Sequence, residues 1–287
     1  MPSHPWQKAD ICEPDQVSHH LEAFRPDAIV HLAAETHVAR SIDSREEFLR
    51  TNVLGTNVLL EETLKYWRAR ERSAQPVPFR FVHVSTDEVY GSLESADAPW
   101  TEDSPCLPNN PYSASKAASD HLVRSYWRTF GLPTVITHCS NNYGPRQHPE
   151  KLIPALVGFL QGGRPMALHG DGQNVRDWIH VEDHCSGLLS ALERGQVGET
   201  YNFGGECERT NQEIAALVSA ACRPRIPNQF GVVLVDDRAG NDRRYASNIA
   251  KARRELDWKP GPMIEERIEA TVGWYLDNLG YGDQYGR

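Results

Sequence analysis

The stretch Ser85-Thr86-Asp87-Glu88-Val89-Tyr90-Gly91 closes an apolar run over residues 79–84, and Pro111-Tyr112-Ser113-Ala114-Ser115-Lys116 follows farther along. The run reads as a buried strand. The second segment, with proline ahead of the tyrosine, reads as the opening of a helix. Ligands of open α/β sheets bind beyond the carboxyl ends of the strands, so both segments face one crevice. A hydroxyl, two adjacent carboxylates, a phenol and an ammonium gathered there suggest proton and hydride chemistry.

Working outward, residues 27–34 (Asp-Ala-Ile-Val-His-Leu-Ala-Ala) form a short apolar run after Pro26, the pattern of an interior parallel strand. Over residues 45–70, Phe48, Leu49, Val53, Leu54, Val58, Leu59 and Leu64 recur at helical spacing, and a loop at 73–78 ends that helix. Residues 112–130 repeat the pattern and stop at Gly131, a residue suited to a helix C-terminus. Residues 134–139 make a further strand. Strand-helix alternation of this kind predicts βαβ units and a parallel sheet. After Pro145, proline and glycine become frequent and helical patterns return over 182–193, 210–221, 249–256 and 264–279. That texture predicts a smaller, loop-rich lobe over the sheet, a common way to build a substrate cover.

At 287 residues the chain can form one large domain or two lobes. Its 39% hydrophobic and 24% charged content is ordinary for a globular protein. A net charge of −9 without any Lys/Arg-rich run argues against a general nucleic-acid surface. No apolar stretch reaches membrane-span length and no signal-peptide core stands at the N-terminus, so a cytoplasmic location is expected. The six scattered cysteines contain no C-x-x-C pair and read as reduced thiols.

Tyr112 and Lys116 are i and i+4 and share a helix face. A free tyrosine titrates near 10, so an ammonium beside it is expected to lower its pKa and make it a usable base. Alone the pair reads as a solvated surface pair; its place after a Pro-Tyr helix start in a βαβ chain favours the functional reading. The carboxylates Asp87 and Glu88 could simply cap a turn before Gly91. At the end of a buried strand, however, they repel each other and resist desolvation, which can keep a neutral acid beside an ionised base. The segment His180-Val-Glu-Asp-His184 has two histidines at i, i+4, but its glutamate fits no zinc-protease pattern, so no metal site is expected.

Together with Cys139-Ser-Asn-Asn-Tyr-Gly-Pro145, Glu150-Lys-Leu-Ile-Pro154 and Arg176-Asp-Trp178, these motifs resemble the extended short-chain dehydrogenase/reductase family and, within it, the dTDP-glucose 4,6-dehydratase branch. The similarity runs from about Lys8 to Tyr275. It implies a Rossmann-like doubly wound parallel α/β sheet in residues 1–145, with a return segment at about 174–204, and a substrate-binding lobe in 146–287. It also implies NAD as cofactor, dTDP-glucose as substrate and a homodimer packed through the helices at 45–70 and 112–130. The catalytic set so implied is Thr86, Asp87, Glu88, Tyr112 and Lys116. Cofactor-lining positions would be Asp10, Ile11, Leu32, Ala33, Ala34, Glu35, Thr51, Tyr112, Lys116 and Asn142. Substrate contacts would come from Thr36, Thr86, Asn141, Lys151, Leu152, Arg176, Asn211, Asp237 and Arg238. Arginine and lysine suit a diphosphate for electrostatic and bidentate reasons. Three positions depart from the family pattern: Ala39, Ala239 and Asn241 stand where it has Asp, Pro and His. UDP-glucose dehydration, epimerisation and decarboxylation are the related alternatives, although an epimerase has no need of the Asp87-Glu88 pair.

The first glycine of the chain is Gly55, whereas a dinucleotide fold opens on a strand, a glycine-rich loop and a helix. The expected sheet therefore lacks its first strands and that loop. A fragment or mis-set start, a short module that has lost catalysis, and a partner supplying the elements are the three explanations. The intact reaction-centre residues favour the first. Weak NAD binding and poor stability are expected of the chain as written.

Overall fold

The computed structural model describes residues 6–72, 78–227, 231–278 and 280–281. Helix α1 (Pro14–Phe24) opens with proline in its first turn and ends at Arg25 in a left-handed conformation. Strand β1 (Ala28–His31) follows, then α2 (Val38–Asp43), α3 (Arg45–Phe48), a π-helical turn (Leu49–Gly55) and α4 (Thr56–Glu71). Strand β2 (Arg80–Thr86) runs into a 3₁₀ turn (Asp87–Tyr90), and α5 (Pro111–Phe130) leads to β3 (Thr134–Cys139) and β4 (Asn141–Tyr143). Next come α6 (Leu152–Gln161), β5 (Met166–His169), β6 (Val175–His180), α7 (Val181–Arg194) and β7 (Thr200–Phe203). The chain closes with β8 (Glu208–Thr210), α8 (Asn211–Cys222), β9 (Val232–Val235), α9 (Ala250–Leu256) and α10 (Ile264–Asp277).

The main sheet has the order β1-β2-β3-β7, all parallel, with Val82 opposite Val135 and Thr86 opposite Cys139. Successive strand residues point to opposite faces, and β3 shows the consequence. Ile136 packs with Leu60, Leu64, Phe81, Val123 and Tyr126 beneath α4 and α5. Its neighbour Val135 packs with Ala191, Tyr201, Phe203, Ala252 and Leu256 beneath α7 and α9. Phe81, Leu60 and Val123 are fully buried, each removal of such a side chain from water being worth about 1.5–3 kcal/mol. A separate core of α6, β5, α8 and α10, with Ile153, Leu156, Ile214, Ile264 and Val272, makes the second layer of the molecule. Among the described residues no helix is long and apolar enough to cross a membrane, and all six cysteines are free.

Residues 27–34, expected as an interior strand, are an edge strand here. Among the described residues β1 pairs with β2 alone, and Val30 is 36% exposed because no neighbour covers its outer side. The helix expected over 45–70 is interrupted by the π turn, and α1 has only Val17 and Leu21 as a buried stripe, too sparse a pattern to read. The loop expected at 73–78 lies, apart from Pro78, outside the described residues.

Candidate active site

Thr86 ends β2 in extended conformation, and its hydroxyl accepts the backbone N–H of Glu88 at 3.3 Å, starting the 3₁₀ turn that carries Asp87 and Glu88. Gly91 stops the turn at φ 94°; a Cβ there would meet the Leu107 carbonyl oxygen at 2.4 Å, so only glycine fits. Asn110 caps α5 by accepting from Ser113 N at 2.9 Å in a capping box, with Pro111 in the first turn. These local devices bring the strand end and the helix start together.

Tyr112 and Lys116 are both buried. The Lys116 ammonium donates to the Val84 carbonyl at 2.9 Å, and burial lowers its pKa against the opposing pull of Asp120 and Cys139. Burial, then the Glu88 charge, hold the Tyr112 phenol well above its ordinary value, with the Thr86 hydroxyl working the other way. The net shift is opposite to the lowering expected from the adjacent lysine. Burial pushes Asp87 well above the carboxylate range, helped by Glu88 and Asp177 and opposed by Arg176. Glu88 is raised by burial, with Arg176 and Lys151 opposing and Asp242 adding to the rise. Asp87 Oδ2 is buried with no hydrogen-bond partner among the described residues.

Glu88 opens onto a cavity of about 360 Å³. Thr36, Asn141, Lys151, Leu152, Arg176, Asn211 and Arg238, all named from the sequence, line it beside Glu88. Thr86, Asp87, Tyr112 and Lys116 are not among the lining residues. Asp237 is not in the wall either: its carboxylate accepts from Arg238 N and from Asn241 Nδ2, both at 2.7 Å. Lys151 Nζ donates to the Thr36 carbonyl at 2.9 Å, joining the segment beyond β1 to the second layer. Burial lowers the pKa of both Lys151 and Arg238, so the basic wall is held at an electrostatic cost that an anionic ligand would relieve.

Sequence reasoning missed Tyr245. Its hydroxyl donates to Asp242 Oδ2 at 2.5 Å and lies 3.5 Å from Glu88 Oε2, while the Arg176 guanidinium sits 4.2 Å from its ring centroid. No local pattern marks a tyrosine so far along the chain from Glu88. Asn52 was also missed: its side chain binds Glu35 N at 2.8 Å, Glu35 O at 3.0 Å and Ser115 Oγ at 2.8 Å. A π turn at this position is the type of irregularity that often accompanies a site.

The residues expected to line a cofactor fall along the carboxyl end of the sheet and the α4 side. Leu32 is 58% exposed beyond β1, next to the short side chains of Ala33 and Ala34 and the half-buried Glu35. Thr51 lies on the π turn, and Asp10 and Ile11 meet it there: Asp10 pairs with Arg50 at 2.9 Å, and Ile11 packs on Gly55. Asn142 donates to the Ser140 carbonyl at 3.1 Å and bonds His184 at 3.0 Å. The exposed leucine, the short alanines and the buried Ser140 Oγ and Asn141 Oδ1, which have no hydrogen-bond partner among the described residues, fit a flat, partly polar group. His180 caps α7 and His184 faces Asn142, which accounts for the two histidines structurally.

The family model described as GDP-mannose 4,6 dehydratase matches residues 2–271. The dTDP-glucose 4,6-dehydratase of Neisseria gonorrhoeae is 46% identical over 285 residues, covering 96% of this chain and 82% of that protein. The dTDP-glucose 4,6-dehydratase 1 of Escherichia coli (strain K12) is 43% identical, covering 97% and 80%. The crystal structure of DesIV, a dTDP-glucose 4,6-dehydratase from Streptomyces venezuelae with NAD and TYD bound, superposes with a TM-score of 0.86 at 43% identity, covering 96% of this chain and 80% of that one.

Proposed function

The chain belongs to the GDP-mannose 4,6-dehydratase family, and on that premise we propose that it is a nucleotide-sugar dehydratase, converting dTDP-glucose to dTDP-4-keto-6-deoxyglucose and water with NAD as cofactor. The observation that carries this reading is the adjacent carboxylates Asp87 and Glu88, both held above the usual range, the first buried and the second in the wall of a cavity shared with Lys151, Arg176 and Arg238. An enzyme that only oxidises and re-reduces C4 has no work for two such groups.

Bound NAD supplies a reversible hydride acceptor and, when oxidised, a positive charge. Tyr112, which burial keeps protonated until such a positive charge lies beside it, then takes the proton of the sugar 4-OH, with Thr86 favouring its ionised form and Lys116 one turn on. The resulting 4-ketone acidifies the C5 proton, which Glu88 removes. Asp87, held above the ordinary carboxylate range by burial and by the Glu88 charge, delivers its proton to the departing 6-OH as water is lost, and the resulting 5,6-alkene regains the hydride at C6 and a proton at C5 from Glu88. Tyr245, braced by Asp242, lies against the Glu88 carboxylate and limits its movement. Lys151, Arg176 and Arg238 hold the diphosphate, with Thr36, Asn141, Leu152 and Asn211 around the nucleotide and sugar, and Asp237 fixes Arg238 and Asn241. Asp10, Ile11, Leu32, Ala33, Ala34, Glu35, Thr51, Tyr112, Lys116 and Asn142 hold the cofactor.

On this reading residues 1–145, with the return segment 174–204, form the cofactor domain, and 146–287 the substrate lobe. The protein acts in the cytoplasm, in keeping with its six free thiols. It acts as a homodimer through the helices at 45–70 and 112–130, where Leu49, Leu54 and Phe130 are exposed. Incubation with NAD and either dTDP-glucose or UDP-glucose tests the function. The expected product of the first has lost the mass of one water; unchanged mass with both sugars overturns the reading, and loss only from UDP-glucose reassigns the substrate.

A further inference from the structure

Helix α5 carries Tyr112, Lys116 and Asp120 at successive i, i+4 positions, so a third ionisable side chain stands on the face that holds the first two. Asp120 is 6% exposed. Its Oδ2 accepts from Ser85 Oγ at 2.9 Å and bonds His138 Nε2 at 3.1 Å, while His83 Nε2 is 3.2 Å from Oδ1. On the far side of the imidazole, His138 Nδ1 is 2.6 Å from the Tyr90 hydroxyl, which is 3.0 Å from Asn202 Oδ1.

Hydrogen-bond accounting fixes the protons along this chain. The other end of the Asn202 amide is 3.1 Å from the Trp100 carbonyl, which can only accept, so the NH₂ faces Trp100 and the amide oxygen faces Tyr90. The single Tyr90 proton must go to that oxygen. His138 Nδ1 therefore donates to Tyr90. Burial pushes Asp120 up, but hydrogen bonds and charge from His138 and His83 outweigh it and hold the carboxyl below its ordinary range, hence ionised. His138 Nε2 then donates to a carboxylate, and a ring that donates from both nitrogens is an imidazolium.

The titratable groups around Lys116 and Asp120 come from every neighbouring element. They are His31 from β1, His83 from β2, His138 and Cys139 from β3, Tyr90 from the 3₁₀ turn, Cys106 from the loop beyond it and Tyr112 from α5 itself. Burial holds His31 neutral, and lowers His83 to about 4. Asp120 is thus the carboxylate that offsets the buried Lys116 charge, and His138 sets how much of it is left to do so.

We propose that Asp120 and His138 form a buried carboxylate–imidazolium pair that positions Lys116 and keeps it charged beneath Tyr112. Through Ser85, the same carboxylate grips the strand end that bears Thr86, Asp87 and Glu88. The role assigned to Lys116 rests on the dehydratase reading; the pair itself does not.

The test has two readouts. In the chain labelled with ¹⁵N-histidine, the signal lost in His138→Gln should show both ring nitrogens protonated at neutral pH, and Asp120→Asn should return it to the neutral form. In the turnover of dTDP-glucose with NAD, the alkaline limb of the kcat profile should move down in Asp120→Asn, which removes the carboxylate acting directly on Lys116 even as the imidazolium charge behind it is lost, and up by a larger amount in His138→Gln, which leaves that carboxylate unopposed. Ser85→Ala, which removes no charge, should leave the limb in place. A neutral His138 in the unaltered chain overturns the pair. Limbs that move the same way in both variants overturn the positioning of Lys116. An imidazolium in a chain that does not turn over dTDP-glucose supports the pair and defeats only the dehydratase reading.

Discussion

The ammonium of Lys116 donates to the carbonyl oxygen of Val84 at 2.9 Å, so the helix that carries the phenol is tied to the strand that carries the two carboxylates. One hydrogen bond thus sets the relation between the group that acts on the 4-OH and the groups that act at C5 and C6. Replacing Lys116 by Met removes both the tie and the charge. Turnover should fall by about 10²–10⁴-fold, the range for losing a positioned acid–base group, and Tyr112→Phe should fall at least as far. Single-turnover measurement of reduced cofactor checks this: neither variant should accumulate it.

Glu88→Gln and Asp87→Asn should separate the two halves of the reaction. Both should still form some oxidised sugar, seen as transient reduced cofactor, and little dehydrated product. In D₂O, Asp87→Asn should exchange the C5 hydrogen of recovered substrate, because its base is intact, and Glu88→Gln should not. Normal turnover in both variants would sink the acid and base assignment.

Asp87 also links function to stability. Its folded pKa is raised, first by burial, so the native state pays nothing for it below the ordinary carboxylate range and is progressively destabilised as the pH rises above that range. Asp87→Asn should therefore melt higher than the parent at pH 8, with the gap closing towards pH 4. Thermal melts at both pH values measure it; an equal or lower melting temperature at pH 8 contradicts the buried-carboxylate picture.

Asn241, one of the departures from the family pattern, accepts from Arg176 Nη2 at 3.2 Å and Arg238 Nη2 at 3.3 Å through one oxygen. It holds two like charges side by side, and Asp237 fixes its amide from the other end. Asn241→Ala should raise the KM for dTDP-glucose by about tenfold, the loss of roughly 1.4 kcal/mol that one hydrogen bond to a charged group commands, with kcat within about twofold. A fall in kcat at unchanged KM would place Asn241 with the chemistry instead.

Much of this arrangement was legible in the sequence because it is local. Thr86, Asp87 and Glu88 follow a strand whose apolar run announces it, and Tyr112 and Lys116 follow a proline at a helix start. Helix α5, strand β3 and helices α7, α8, α9 and α10 sit within a residue or two of where periodicity put them, apart from the end of the last, read at Leu279, which lies outside the described residues; α6 (Leu152–Gln161) was not read. Long-range partners were not legible. Tyr245 reaches Glu88, and Asn202 reaches Tyr90, only through the folding of β7 and the segment before α9 against the sheet. The edge position of β1 was missed because its apolar run looks the same whether one side or both are paired. The raised pKa of Tyr112 was missed because spacing reveals the lysine one turn away but neither the burial of the phenol nor the Glu88 carboxylate.

The most direct test of the central claim uses dTDP-glucose carrying deuterium at C4, incubated with the purified chain and NAD and followed by NMR. If Tyr112 and Lys116 open the reaction and Asp87 and Glu88 carry the elimination, the label leaves C4 and reappears in the 6-methyl group of a 4-keto-6-deoxy sugar. A label that stays on C4 of a recovered or epimerised hexose, or that is lost to water, contradicts the account.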